Sequence, residues 1–205
     1  MGTVKARRHS RTCSANLLAV AWAIGFAFGS FGLGAIAADW PVYRGTNHDG
    51  ISPETDWKSD WGTEGPKVLW RGSVGTGYSS IVISQGRAYT MGNSGAKDQE
   101  TDTVYCFDAL TGKEIWKHSY PCALQPLYYE GGTLSTPSVD GNMVYTLSKM
   151  GDLFCLDAAS GDVKWLVNVH KDLGFKLTTW SFSSSPLVLG DRLILNLGSA
   201  GLALD

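Results

Sequence analysis

The sequence predicts an all-β fold, a β-propeller of four-stranded antiparallel blades, and three observations predict it. The stretch DALTGKEIW at 108–116 returns as DAASGDVKW at 157–165, 49 residues later, with the same Asp, Gly and Trp positions. Self-similarity at a period of roughly 40 to 50 residues marks a repeat architecture. Inside each copy the apolar residues run with period two between turn dipeptides, the pattern of short strands and hairpins. After residue 37 no amphipathic helical pattern of ten or more residues interrupts them.

Residues 1–37 are read apart from the blades. Lys5, Arg7, Arg8 and Arg11 precede an apolar run that ends in Ala35-Ile36-Ala37, the layout of a signal peptide cut near Ala38. The run is also long enough to serve as an uncleaved anchor, which would be the chain's membrane span. Residues 38–64 form a leader segment, in which Arg44, His48 and Asp49 gather beside glycines. Two adjacent side chains in such a loop are too few for a metal, so a structured turn is expected. Residues 65–205 carry the blades. GPKVLW (65–70) ends in Trp70, 46 residues before Trp116, and is expected to supply the outer strand of the blade that closes the ring.

The first full copy joins SSIVISQGRAYTMGN (79–93) to TVYCFDALTGKEIW (103–116) through a polar insertion, SGAKDQET. The second, from 135 to 169, reads as four strands, TPSV, MVYTLS, DLFCLDA and VKWLVNV, parted by DGN, KMGD and AASGD. Asp-Gly and Ser-Gly favour tight hairpins because glycine takes positive φ without steric cost. The third copy, SSPLVLGDRLILNLGSAGLALD (184–205), reaches Asp205 inside the motif, so the chain is expected to be a fragment or a truncated product. At about 48 residues per repeat, a seven- or eight-bladed ring needs roughly 340 to 390 residues. The 168 residues after position 37 suffice for about three blades, a part of such a ring.

The recurring nine residues have a mechanical reading. Asp108 and Asp157 accept hydrogen bonds from the amides of the turn that follows, and Gly112 and Gly161 supply its left-handed residue. Trp116 and Trp165 then project from the outermost strand as wedges between blades, each with its N–H satisfied locally.

On these residues the chain resembles methanol dehydrogenase and its quinoprotein relatives, whose tryptophan-docking motif A-x-D-x-x-T-G-x-x-x-W repeats around a propeller. CFDALTGKEIW (106–116) keeps Asp108, Thr111, Gly112 and Trp116 with Cys106 in place of Ala. CLDAASGDVKW (155–165) keeps Asp157, Gly161 and Trp165, with Cys155 for Ala and Ser160 for Thr. WPVYRGTNHDGISPE (40–54) is similar to the leader of exported bacterial PQQ-like repeat proteins. The resemblance implies a propeller. It leaves two roles open, a binding or scaffold module holding an envelope protein or polymer, and a PQQ-dependent dehydrogenase of the alcohol or polyvinyl-alcohol type with Ca²⁺ beside the quinone. No catalytic, cofactor or metal residue is assignable from the motif itself.

Charge and cysteines narrow the classes. Removal of residues 1–37 takes four of the 17 basic side chains and none of the 19 acidic ones, leaving a net charge of −6. Nucleic acid is excluded as a partner, since phosphate binding needs a basic stripe. A periplasmic or secreted location follows from the signal peptide. Cys13 leaves with it, and Cys106 and Cys155, at one repeat position on neighbouring blades, are read as small buried hydrophobes rather than a disulfide. Cys122 remains as the odd one. The link HKDLGFKLTTWSFSSSP (170–186) breaks the strand pattern, and long inter-blade loops often carry function. Its His170, Lys171, Asp172 and Trp180 are the candidate ligand residues, and the aromatic loop SYPCALQPLYYEGGT (119–133) is expected to share their face.

Overall fold

The computed structural model describes residues 38–55 and 57–205, so the expected signal peptide and Cys13 lie outside the described residues. Eleven strands and one three-residue 3₁₀ turn at Gly62–Glu64 make up the described chain. The first blade is β1 (Val82–Ser84), β2 (Arg87–Ser94), β3 (Thr101–Asp108) and β4 (Glu114–Pro121), and the second is β5 (Ser138–Asp140), β6 (Met143–Leu147), β7 (Asp152–Asp157) and β8 (Val163–Asn168). Each is an antiparallel sheet in chain order, and β9 (Leu187–Leu189), β10 (Arg192–Asn196) and β11 (Gly201–Leu204) form a third sheet of three strands. The fold is all-β and propeller-type. Among the described residues no helix is long and apolar enough to cross a membrane.

The polar insertion of the first copy does more than link its halves. Ser94 pairs with Thr101 and Asn93 with Asp102, so its ends extend the β2–β3 hairpin and the connecting loop shrinks to residues 95–100. Asp102 tolerates a strand interior because the Asn93 side-chain amide donates to its Oδ1 at 2.7 Å.

Both blades carry a bulge that sequence patterning did not reveal. Cys106 faces Trp116 but Phe107 faces Glu114, and Cys155 faces Trp165 but Leu156 faces Val163. One extra residue, Ile115 or Lys164, is thereby left unpaired beside the tryptophan, which bends the outer strand at that point. The small cysteine side chain opposite leaves room for the indole.

The two corners share their amide bonds and differ in their hydroxyls. Asp108 Oδ1 accepts from the amides of Leu110 and Thr111 and from the Thr111 hydroxyl at 2.7 Å. Asp157 Oδ1 accepts from Ala159 and Ser160, while the Ser160 hydroxyl turns to Asp162 and Lys164 pairs with Asp157 Oδ2 at 3.0 Å. Those donors hold both aspartates below the usual carboxylate range, the Thr111 hydroxyl contributing most at Asp108 and Lys164 most at Asp157.

Trp116 reaches out of its own blade. Its Nε1 donates to Ala158 O at 3.0 Å, and its ring lies on Gly161, where a Cβ would meet it at 2.6 Å. The indole N–H is therefore satisfied on the next blade rather than locally. Trp70 repeats the arrangement one step earlier, with Nε1 on Ala109 O at 3.0 Å and its ring on Gly112, although the residues around it pair with no strand among those described. Trp165 has Tyr145 beside it and stays 38% exposed, against 8% for Trp116.

The leader also joins the blades. Trp40 pairs with Ile83 of β1, Pro41 O accepts from Val139 of β5, and Asp39 receives the amide of Gln85. Arg44, His48 and Asp49 sit in a local turn closed by Gly50 N on Arg44 O and Ile51 N on Asp49 Oδ1.

Two measurements test the interface between blades. Gly161→Ala places a Cβ into the Trp116 ring at positive φ and should cost about 2–4 kcal/mol in denaturant unfolding, whereas Gly141→Ala, also at positive φ but with open space around it, should cost about 1 kcal/mol. His118 on β4 stacks edge-on against Phe154 of the next blade, and burial lowers its pKa. The unfolded chain, titrating near 6.5, then binds the proton first, so stability should fall as pH drops from about 7 through that value. His118→Phe should flatten the difference between melting curves taken at pH 8 and pH 5.5.

Candidate functional site

Three chain segments approach the inner strands in repeat-equivalent positions. Tyr78, Leu134 and Ser183 each lie four residues before their inner strand, at β1, β5 and β9. Hydrogen bonds sew the approaches together. Tyr78 N donates to Thr133 O at 2.7 Å, Ser80 N to Thr136 Oγ1 and Thr136 N to Ser185 Oγ. The loops 119–133 and 170–186 fold over this seam and meet. Tyr128 and Tyr129 come within 5.6 and 6.5 Å of Trp180 between ring centroids, and Tyr78 stands edge-on to Tyr129 at 5.6 Å.

A cavity of about 350 Å³ opens here, lined by Tyr78, Tyr129, Leu134, Trp180 and Ser183. The rings are strongly solvent-facing, Tyr128 at 82% and Trp180 at 53% exposure. Beside them the Tyr78 hydroxyl donates to Glu130 Oε2 at 2.6 Å, and that bond lowers the pKa of Glu130 and raises that of Tyr78. Gln125 and Ser181, one from each loop, both take positive φ, and the Ser181 hydroxyl donates to Gln125 Oε1. Non-glycine residues pay for that conformation, so the junction of the two loops stores backbone strain.

The candidate residues of the 170–186 loop divide. Asn168 Oδ1 accepts the amides of His170 and Lys171, the Asp172 carboxylate accepts the amide of Asn168, and His170 Nδ1 is bonded to Phe175 O at 2.7 Å. His170 and Asp172 are thus bound into the loop itself, whereas Trp180 faces the cavity with the tyrosines of the sister loop.

Lys149, in the β6–β7 turn, is the residue that sequence reading passed over. Its ammonium donates to Leu124 O in one loop, and its backbone carbonyl accepts from Phe182 N in the other. The side chain is fully buried, and desolvation lowers its pKa. Around it Asn93, Asp102 and Cys122 form a buried polar belt between the first two blades, in which burial raises the carboxyl of Asp102 and the thiol of Cys122. A lysine in a glycine-containing turn carries no pattern that would distinguish it from a solvated one.

The cysteines are inert by environment. Cys106, Cys122 and Cys155 are buried free thiols, and burial pushes Cys106 up to about 11. Among the described residues no group of three or more His, Cys, Asp or Glu could hold a metal ion.

Comparison with known proteins follows from this geometry. The profile of the PQQ-like repeat family described as outer membrane protein assembly factor BamB matches residues 52–205. No curated protein matches the sequence significantly. Among solved structures, quinohemoprotein alcohol dehydrogenase from Comamonas testosteroni is similar at a TM-score of 0.54 and 20% identity over 78% of this chain and 24% of that one. BamB from Moraxella catarrhalis gives a TM-score of 0.43 at 17% identity, over 56% of this chain and 32% of that one. Quinohemoprotein alcohol dehydrogenase ADHIIG from Pseudomonas putida HK5 gives 0.48 at 19% identity, over 66% and 20%. The chain therefore spans a third or less of the length of these structures, and the likeness to the Comamonas protein is one of fold.

Lys149→Met, which keeps the carbonyl bond to Phe182 but leaves Leu124 O only the amide of Gly132, should cost about 1–3 kcal/mol. Amide hydrogen exchange should quicken in residues 122–133 and stay unchanged in β2 and β3. Uniform exchange across both regions would show that Lys149 does not hold the loop.

Proposed function

The chain belongs to the PQQ-like propeller repeat family described as outer membrane protein assembly factor BamB, and from that membership we propose that it is an exported binding or scaffold module of the cell envelope. In this reading residues 1–37 are the signal peptide, 38–64 the leader, and 65–205 blades of the propeller.

One observation carries the reading. On the face where the inter-blade loops meet, His170 and Asp172 are tied into backbone turns, Glu130 is bonded to the Tyr78 hydroxyl, and aromatic rings face solvent. Exposed apolar patches of that kind mark interaction surfaces. The motif aspartates, Asp108 and Asp157, are occupied by corner amides and have no role beyond the scaffold.

A PQQ-dependent dehydrogenase would need Ca²⁺ held by six to eight oxygen ligands. Among the described residues no three His, Cys, Asp or Glu side chains group to hold an ion, and no catalytic step is derived through one.

Titration of PQQ with Ca²⁺ into the full-length, exported protein, run beside a dye-linked alcohol oxidation assay, tests the proposal. No saturable binding and no dye reduction is the expected result. Ca²⁺-dependent binding with turnover would replace the scaffold reading with the dehydrogenase.

A further inference from the structure

We propose that the aromatic cavity at the junction of loops 119–133 and 170–186 is a binding site for a quaternary ammonium group, with Tyr78, Tyr129 and Trp180 as its cage and Glu130 as its counter-charge. The inference does not depend on the export or scaffold reading.

Ring arrangement supplies the first step. Tyr78 and Tyr129 are inclined by 66°, and Tyr129 and Trp180 by 43°, so the cavity has walls in different planes rather than two parallel faces. A flat ligand needs a parallel slot. The three rings border one open depression, and their π-clouds attract a cation seated against them. The volume of about 350 Å³ is ample for a trimethylammonium head.

Charge supplies the second. The Tyr78 hydroxyl donates to Glu130 at 2.6 Å, which places a carboxylate, anionic at neutral pH, beside a lining ring although not in the lining itself. No lysine, arginine or histidine lines this cavity, and the neighbouring depression that shares Tyr78, Leu134 and Ser183 carries His48. An anionic ligand would meet a carboxylate with no compensating cation. Sugars are disfavoured by different chemistry, because a ring of hydroxyls needs several donors and acceptors. Here the polar lining is Ser183 and a Tyr78 hydroxyl already committed to Glu130.

Calorimetric titration of the full-length protein with choline chloride, and separately with its neutral isostere 3,3-dimethyl-1-butanol, distinguishes cation recognition from simple hydrophobic filling. Choline should bind saturably and at least about tenfold more tightly than the isostere. Trp180→Ala and Tyr129→Leu should each weaken it by about tenfold, with melting temperature held as a control for folding. Trp180→Phe, which retains a ring, should recover part of the affinity, and Glu130→Gln should weaken binding in the same direction. Co-sedimentation with phosphatidylcholine vesicles, with phosphatidylglycerol vesicles as control, separates the sources. Capture that free choline competes away assigns the site to a lipid head group, and absence of capture assigns it to a soluble ligand. Equal affinity for choline and the isostere, no choline binding, folded variants that bind as well as the parent, or saturable binding of maltohexaose in place of choline would each overturn the proposal.

Discussion

The contact on which the structure depends is an indole laid on a bare glycine of the neighbouring blade. Trp116 reaches Gly161 and Ala158 O, and Trp70 reaches Gly112 and Ala109 O, so the same two acceptor features recur one repeat apart. The glycine is required twice over. Its positive φ closes the corner held by the aspartate, and its missing side chain leaves the surface on which the ring lies. An alanine there would fail on both counts, which explains why Asp, Gly and Trp recur as a set. The corner of one blade is the seat of the tryptophan from the previous one, so neither half of the motif is complete within a single repeat.

That coupling fixes where other residues have freedom. The corners, the bulges at Ile115 and Lys164 and the indole docks occupy one end of each blade. Loops 119–133 and 170–186 leave from the far ends of the outer strands β4 and β8, and they run back to the inner strand of the next sheet. Lys149 sets their spacing by binding one loop with its ammonium and the other with its carbonyl. Burying an ammonium is costly unless its donors are met. Here Leu124 O accepts from the ammonium, and the nearby Asp102 offsets part of its charge.

Much of the fold was legible because its determinants are local. Period-two runs and Asp-Gly or Ser-Gly turns are written in adjacent residues, and β5 to β8 fall where the second copy's alternation puts them. The bulge was hidden because an unpaired Ile115 is visible only against its partner strand. The reach of the indole N–H to the next blade was hidden for a related reason, since 42 residues separate donor and acceptor. In the 170–186 loop, residue type was a poor guide. His170 and Asp172 have the chemistry of a site but serve as turn partners around Asn168, a residue that the reading left unremarked.

The distribution of polar groups between interior and face carries one more step. Asn93, Asp102, Cys122 and Lys149 are buried, and the low dielectric there strengthens the Asn93 bonds to Asp102 and Cys122 O and the Lys149 bond to Leu124 O. The Asn93 bonds stay inside the first blade, and the Lys149 bond to Leu124 O crosses from the β6–β7 turn to the loop that follows β4. The exposed face shows the opposite economy, with large rings left to water and a carboxylate held in place by a tyrosine. Exposed aromatic surface contributes little to the stability of the isolated chain, whereas the strained backbone at Gln125 and Ser181 subtracts from it. Directional bonds therefore lie inside the fold, and the large rings lie on the loop face.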